Sequence, residues 1–183
     1  MKITVFLGSR YGNDGKYTEL AEAIGAMIAD NGHTLIYGGA SNGLMGVLAD
    51  SALKHNGTVI GIITELLKGR EIDHHGLSSM TVTKTMAERK ELLISQGDMY
   101  IALPGGIGTL EEAADVISTL RTHKSSKKLL LMNTDGFYEP FRVLPDKMCE
   151  EGFLSPGEIS SVCFVRDTEE LQTYLQRISG MAE

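Results

Sequence analysis

The chain has 183 residues, a length that fits one domain, and 42% hydrophobic with 22% charged residues is ordinary for a globular chain. A domain of that size buries enough surface to fold without disulfide staples. Its net charge of −7 speaks against a nucleic-acid polyanion as partner, yet leaves a small anion open, since backbone N–H groups bind one without a basic surface.

Taken in chain order, short apolar runs alternate with longer amphipathic ones, the pattern of a parallel sheet flanked by helices. Ile3 to Gly8 reads as the first strand, too short and wrongly flanked for a secretory leader, and Lys16 to Asn31 as its helix. Thr34 to Tyr37 is a second strand, followed by a glycine-rich turn and a helix from about Leu44 to His55. Thr58 to Ile63 is a third strand, continuously apolar as buried parallel strands are. The polar stretch Thr64 to Ser79, with Gly69, Asp73, His74, His75 and Gly76, reads as a long surface loop of the kind that often carries function. Strands at Met80 to Thr83 and Met99 to Leu103 flank a helix from Met86 to Gln96. A helix from Thr109 to Arg121, a strand Lys128 to Met132, a helix Pro140 to Glu150, a strand Val162 to Val165 and a helix Thr168 to Ile178 follow. No stretch approaches the roughly 18 apolar residues of a membrane span. The expected fold is a single α/β domain over 1–183, a Rossmann-like doubly wound parallel sheet with helices on both faces.

Glycine is over-represented, 21 residues where about 7% of a chain is usual, and the glycines cluster. Three glycine-containing turns follow strands: Gly8-Ser-Arg10, Gly38-Gly-Ala-Ser-Asn-Gly43-Leu-Met-Gly46 and Pro104-Gly-Gly-Ile-Gly-Thr109. In open α/β sheets such turns gather at the carboxyl ends of the strands, where ligands bind. In the third, Gly105, Gly106 and Gly108 free the backbone to aim N–H groups inward at a helix start, a setting that favours a phosphate. It lacks the Gly-Lys-Ser/Thr ending of a Walker A loop, and the second turn does not fit Gly-x-Gly-x-x-Gly. A mononucleotide phosphate therefore suits the chain better than a dinucleotide.

Local rules leave two readings for the charged residues nearby. Thr109-Leu-Glu-Glu112 fits a capping box ahead of a stripe of Leu110, Ala113, Ala114 and Ile117, which would make Glu112 a structural cap. Yet Glu112 shares a helix face with Thr109, which would put its carboxylate near anything bound in the loop. Arg89 stands early in a helix whose Met86, Ala87 and Leu93 are expected to face inward, and is either a solvated surface charge or a site residue. The adjacent His74 and His75 are not expected to present both imidazoles to one metal ion, and no metal or cofactor is expected. Cys149 and Cys163 have neither metal-like nor redox-like spacing, so idle thiols in a reducing cytoplasm are the expectation.

Tyr37-Gly-Gly-Ala-Ser-Asn-Gly-Leu-Met-Gly46, Met86-Ala-Glu-Arg-Lys90 and Pro104-Gly-Gly-Ile-Gly-Thr-Leu-Glu-Glu112 closely resemble the Lonely Guy (LOG) family of cytokinin riboside 5′-monophosphate phosphoribohydrolases, often labelled lysine decarboxylases. The resemblance runs on through Asn133-Thr-Asp-Gly-Phe-Tyr138 and Glu151-Gly-Phe-Leu-Ser-Pro156, nearly the whole chain. It implies Arg89 and Glu112 as the catalytic pair and Gly105, Gly106, Ile107, Gly108 and Thr109 as the phosphate loop. It implies Ser9, Gly38, Gly39 and Met86 as holders of the rest of a nucleoside monophosphate, and a homodimer. The chain departs from the family at Ala40, where a third glycine is common. No lysine stands out for a pyridoxal Schiff base, so the decarboxylase label has no support in the sequence. The expected activity is hydrolysis of the N-glycosidic bond of a purine nucleoside 5′-monophosphate, whether N6-modified or plain. The alternatives are a broader nucleoside-monophosphate nucleosidase and a nucleotide-binding protein without turnover.

Overall fold

The computed structural model describes residues 1–68 and 73–180. Residues 69–72, within the stretch expected to be a loop, lie outside the described residues together with 181–183. Seven strands form one sheet: β1 (Lys2–Phe6), β2 (Thr34–Tyr37), β3 (Thr58–Thr64), β4 (Ser79–Thr83), β5 (Met99–Ala102), β6 (Leu129–Met132) and β7 (Val162–Val165). Their order is β4-β3-β2-β1-β5-β6-β7, and every pairing is parallel. The helices are α1 (Lys16–Asp30), α2 (Gly43–Lys54), α3 (Glu65–Lys68), α4 (Met86–Gln96), α5 (Ile107–Thr122), α6 (Glu139–Glu150) and α7 (Thr168–Ser179).

The apolar runs explain the layering. β5 and β6 are buried at every position, whereas the edge strand β4 leaves Val82 exposed. Side chains alternate across the sheet. Ile3 and Val5 meet Ile24, Leu48 and Leu171 of α1, α2 and α7 on one face, while Phe6 and Ile62 meet Leu93 and Val116 of α4 and α5 on the other. The expected doubly wound architecture is therefore present, with boundaries shifted by a residue or two at most ends. A short helix, α3, occupies part of the stretch expected to be irregular, and an isolated bridge ties Asp73 to Ala40. A 3₁₀ turn at Thr134–Gly136, not expected from the sequence, precedes α6.

The chain runs from β1 outward to β4, then crosses back to β5 on the other side of β1. The loops leaving β1 and β5 thus part company, opening a crevice at the carboxyl edge where such sheets bind ligands. On the opposite face of function, α1 and α2 cross closely because Gly25 has no side chain: a Cβ there would collide with the Leu48 carbonyl and lie 3.0 Å from Ser51 Cβ. Gly25→Ala should lose about 1–3 kcal/mol by overpacking, despite the gain of about 1 kcal/mol in helix propensity. Urea unfolding reads this directly, and an unchanged or higher midpoint would contradict the packing described.

Candidate active site

Arg89 is the fourth residue of α4, whose start is fixed by Thr85: its hydroxyl accepts from the Glu88 N–H at 3.1 Å, while Glu88 accepts from the Lys84 N–H at 2.9 Å. The helix turns Arg89 and Leu93 inward and leaves Met86 and Ala87 exposed, the reverse of what was expected for those two. A hydrophobicity pattern assigns the inward face to apolar side chains, but here the inward position belongs to a guanidinium with partners waiting for it. Arg89 Nε donates to the Ile62 carbonyl at 3.0 Å, Nη2 reaches the Gly38 carbonyl at 3.5 Å, and Nη1 donates to Glu112 Oε1 at 3.0 Å. The residue is only 6% exposed, so it is not a solvated surface charge. A Cβ on Gly38 would occupy the place of Nη2, which is why glycine stands there.

Glu112 is not a cap. α5 begins at Ile107 with Gly106 as N-cap in extended conformation, so Thr109 is the third helical residue and Glu112 lies in the second turn. The buried stripe is Thr109, Ala113, Val116 and Leu120; Leu110 and Ala114, expected to face the core, are exposed. Thr109 packs under Gly105, where a Cβ would strike its hydroxyl. No side chain caps this helix start and no acidic residue stands in its first turn. Its first N–H groups and the positive end of the helix dipole therefore face the crevice.

The crevice has two lobes. One, of about 210 Å³, is lined by Arg89, Glu112, Gly38, Met86, Ser9 and Thr109, with Met45, Leu67, Lys90 and Glu111 completing its walls. The other, of about 460 Å³, is walled by Arg10, Tyr11, Tyr17 and Phe137 and by Pro104 to Gly108. Gly8, Ser9, Gly106 and Gly108 line both, so the open end of α5 stands between them. Gly105 and Ile107 line only the second lobe, and the Ile107 side chain is largely exposed. Gly39 lines neither; its φ of +81° turns the chain behind the wall, where a Cβ would meet Met80 Sδ at 3.1 Å. Ala40 follows without a left-handed backbone angle and accepts a hydrogen bond from the Tyr37 hydroxyl at 3.2 Å, so the wall needs no third glycine.

Lys90, Glu111 and the aromatic lobe were not anticipated from the sequence. Lys90 follows Arg89 directly, and that adjacency was its one local signal. The aromatic lobe is assembled from distant segments, with Lys16 of α1 bridging to Asp135 at 2.8 Å and Tyr17 packing edge-on to Phe137. His74 and His75 diverge: His74 Nδ1 accepts from the Gly76 N–H at 3.1 Å and Nε2 lies 3.0 Å from Asp50, while His75 is exposed.

Burial pushes the Glu112 carboxyl above the usual carboxylate range, a shift that the Arg89 guanidinium opposes but does not cancel. Lys90 moves the other way from a neutral amine. The hydrogen bonds it donates to Asp115 and then Glu111 raise its pKa, so it stays protonated. The lysine of this cavity is thus a poor candidate for the Schiff base that pyridoxal chemistry requires.

The family model described as possible lysine decarboxylase matches residues 45–175. The chain is 40% identical to the cytokinin riboside 5′-monophosphate phosphoribohydrolase of Rhodococcoides fascians over 91% of its own length and 85% of that protein. It is 37% identical to one from Arabidopsis thaliana bearing the same name, over 96% of this chain and 82% of that one. Among solved structures it is similar in fold to the molybdenum cofactor carrier protein of Chlamydomonas reinhardtii, with a TM-score of 0.74, 20% identity and 98% of each chain covered.

Because the folded Glu112 carboxyl holds its proton more tightly than an unfolded glutamate, its stabilising contribution is complete below the ordinary value of 4.5. That contribution is lost as pH rises through the raised folded value. The Tm of the wild type should therefore fall relative to Glu112→Gln between acid and neutral pH. A difference that stays flat from about pH 4 to about pH 8 would contradict the burial cost assigned to this carboxyl.

Proposed function

We infer, from the premise that the chain belongs to the LOG family of cytokinin riboside 5′-monophosphate phosphoribohydrolases, that it hydrolyses the N-glycosidic bond of a nucleoside 5′-monophosphate to free base and ribose 5-phosphate. The observation that carries this reading is the buried Arg89–Glu112 pair beside the uncapped start of α5. A binding protein needs only a cradle for the phosphate. A desolvated carboxylate held a helix turn away is a cost to folding that chemistry at the sugar explains.

In this reading the N–H groups from Gly106 to Thr109 hold the 5′-phosphate, with Gly105 shaping the turn before them, and Ser9, Gly38 and Met86 border the nucleoside. The ribose then lies over Glu112. As the C1′–N bond breaks, its electron pair leaves with the base and positive charge gathers on the sugar, where the adjacent carboxylate stabilises it. Glu112 also orients the attacking water, which gives its oxygen to C1′; one proton goes to the departing base. Arg89 keeps Glu112 in place and pairs with it while no substrate is bound. Gly39 acts behind the wall by turning the chain rather than by touching the nucleotide.

The preferred base is a cytokinin, as in the names of the relatives, and for this chain it is read as an N6-substituted adenine. A homodimer in the cytoplasm belongs to the same proposal: Ile107, Leu110, Phe137 and Leu144 leave an apolar surface next to the crevice, and Cys149 and Cys163 are free thiols.

Purified protein offered AMP, N6-isopentenyl-AMP, GMP and CMP, with adenosine as control, should release base and ribose 5-phosphate from monophosphates alone. Glu112→Gln should keep nucleotide affinity within about threefold and lose about 10²-fold or more in turnover. Release of base from adenosine at the same rate would overturn the phosphate cradle. No release from any monophosphate would leave a nucleotide-binding protein without turnover.

A further inference from the structure

The two charged residues assigned to the chemistry sit on different helices, Arg89 on α4 and Glu112 on α5. Little but side chains joins those helices. Outside the site they are parted by a groove of about 700 Å³, floored by Tyr100 and Leu120 and flanked by Ala87, Ile94, Thr119 and His123. Both helices pack on the same face of the sheet, through Leu93 and through Ala113 and Val116, but beside the site the gap between them is crossed by charged side chains.

A second ionic rung stands directly beside the first. Lys90 Nζ lies 2.8 Å from Glu111 Oε1 and 2.8 Å from Asp115 Oδ2, so it bridges α4 to two successive turns of α5. Its side chain is 24% exposed, well below either partner, and it lines both the site cavity and the outer groove. Glu112 is faced by Arg89 and Lys90 from α4 and by Glu111 from its own helix. The segment of β1 and the turn after β2 bring only apolar residues, glycines and Ser9 to the same cavity.

We propose that Lys90 is a positioning residue: its ammonium, tied between Glu111 and Asp115, fixes α4 against α5 at the spacing in which Arg89 meets Glu112, and adds a second positive charge to the wall facing that carboxylate. The proposal rests on the phosphoribohydrolase reading for its effect on turnover, but not for its effect on Glu112. Lys90 lowers the proton affinity of Glu112, against the burial that raises it. Losing Lys90 leaves a buried carboxyl with one cation instead of two and with a less constrained Arg89.

The test measures the titration of Glu112 in the free protein by ¹³C NMR of carboxyl-labelled glutamate, the resonance being assigned by its loss in Glu112→Gln. Lys90→Gln keeps the length of the stem, Lys90→Met is the second variant should the first not fold, and Lys90→Arg restores the charge. Removal of the charge should move the Glu112 midpoint up by about one pH unit, and Lys90→Arg should bring most of it back. In parallel, the acid limb of kcat/KM for N6-isopentenyl-AMP should shift by the same amount, with KM at neutral pH changed less than about twofold. A Glu112 midpoint that stays put in both neutral variants would overturn the role of Lys90. So would an unshifted acid limb in a variant whose turnover is intact. Absence of turnover in the wild type would instead overturn the functional reading, and the NMR titration would still decide the role of Lys90.

Discussion

A carboxylate and a guanidinium buried against one another govern this molecule. Placing Glu112 and Arg89 away from water costs several kcal/mol per ion before any attraction is counted, and such pairs add little to stability. The structure offsets the cost with carbonyls at the ends of two strands: Ile62 from β3 and Gly38 after β2 accept from the guanidinium on the side away from Glu112. Several other features follow. Residue 38 has room only for a hydrogen atom, α4 needs a firm start at Thr85, and α5 must begin early enough to bring residue 112 inward.

The sheet supplies the setting. β1 and β5 are neighbours whose following loops diverge, so their carboxyl ends open a crevice between them. Into it the chain puts the bare first turn of α5, a source of positive potential that needs no lysine or arginine. A chain with net charge −7 can in this way hold a phosphate. The Arg89 guanidinium is instead committed to Glu112, so the proposed function assigns anion binding and sugar chemistry to separate groups.

Much of this was legible in the sequence. The bounds of β2, α4 and β7 follow from apolar runs and their punctuation alone, and the continuous apolarity of the central strands announces a sheet covered on both faces. The three glycine turns point to the crevice for the same reason. Local rules failed where two identical patterns met different surroundings. Thr109-Leu-Glu-Glu112 reads as a capping box and does not cap its helix, whereas Thr85-Met-Ala-Glu88, with the same residues at its ends, does. At the former, Gly106 starts the helix three residues sooner and turns Thr109 and Glu112 inward, which rotates the buried stripe away from Leu110 and Ala114. The inward turn of Arg89 was equally hidden, since its acceptors lie 27 and 51 residues away in sequence. The aromatic lobe beside the start of α5 depends on a contact between Lys16 and Asp135, 119 residues apart, and no periodicity reports such a contact.

The account stands or falls on whether the helix start and the buried pair address the same molecule. The most direct measurement is a crystal structure of Glu112→Gln with AMP bound. The phosphate should accept hydrogen bonds from the N–H groups between Gly106 and Thr109, with C1′ of the ribose against the side chain at position 112. A phosphate bound elsewhere, or a ribose turned away so that position 112 faces only solvent, would contradict the account.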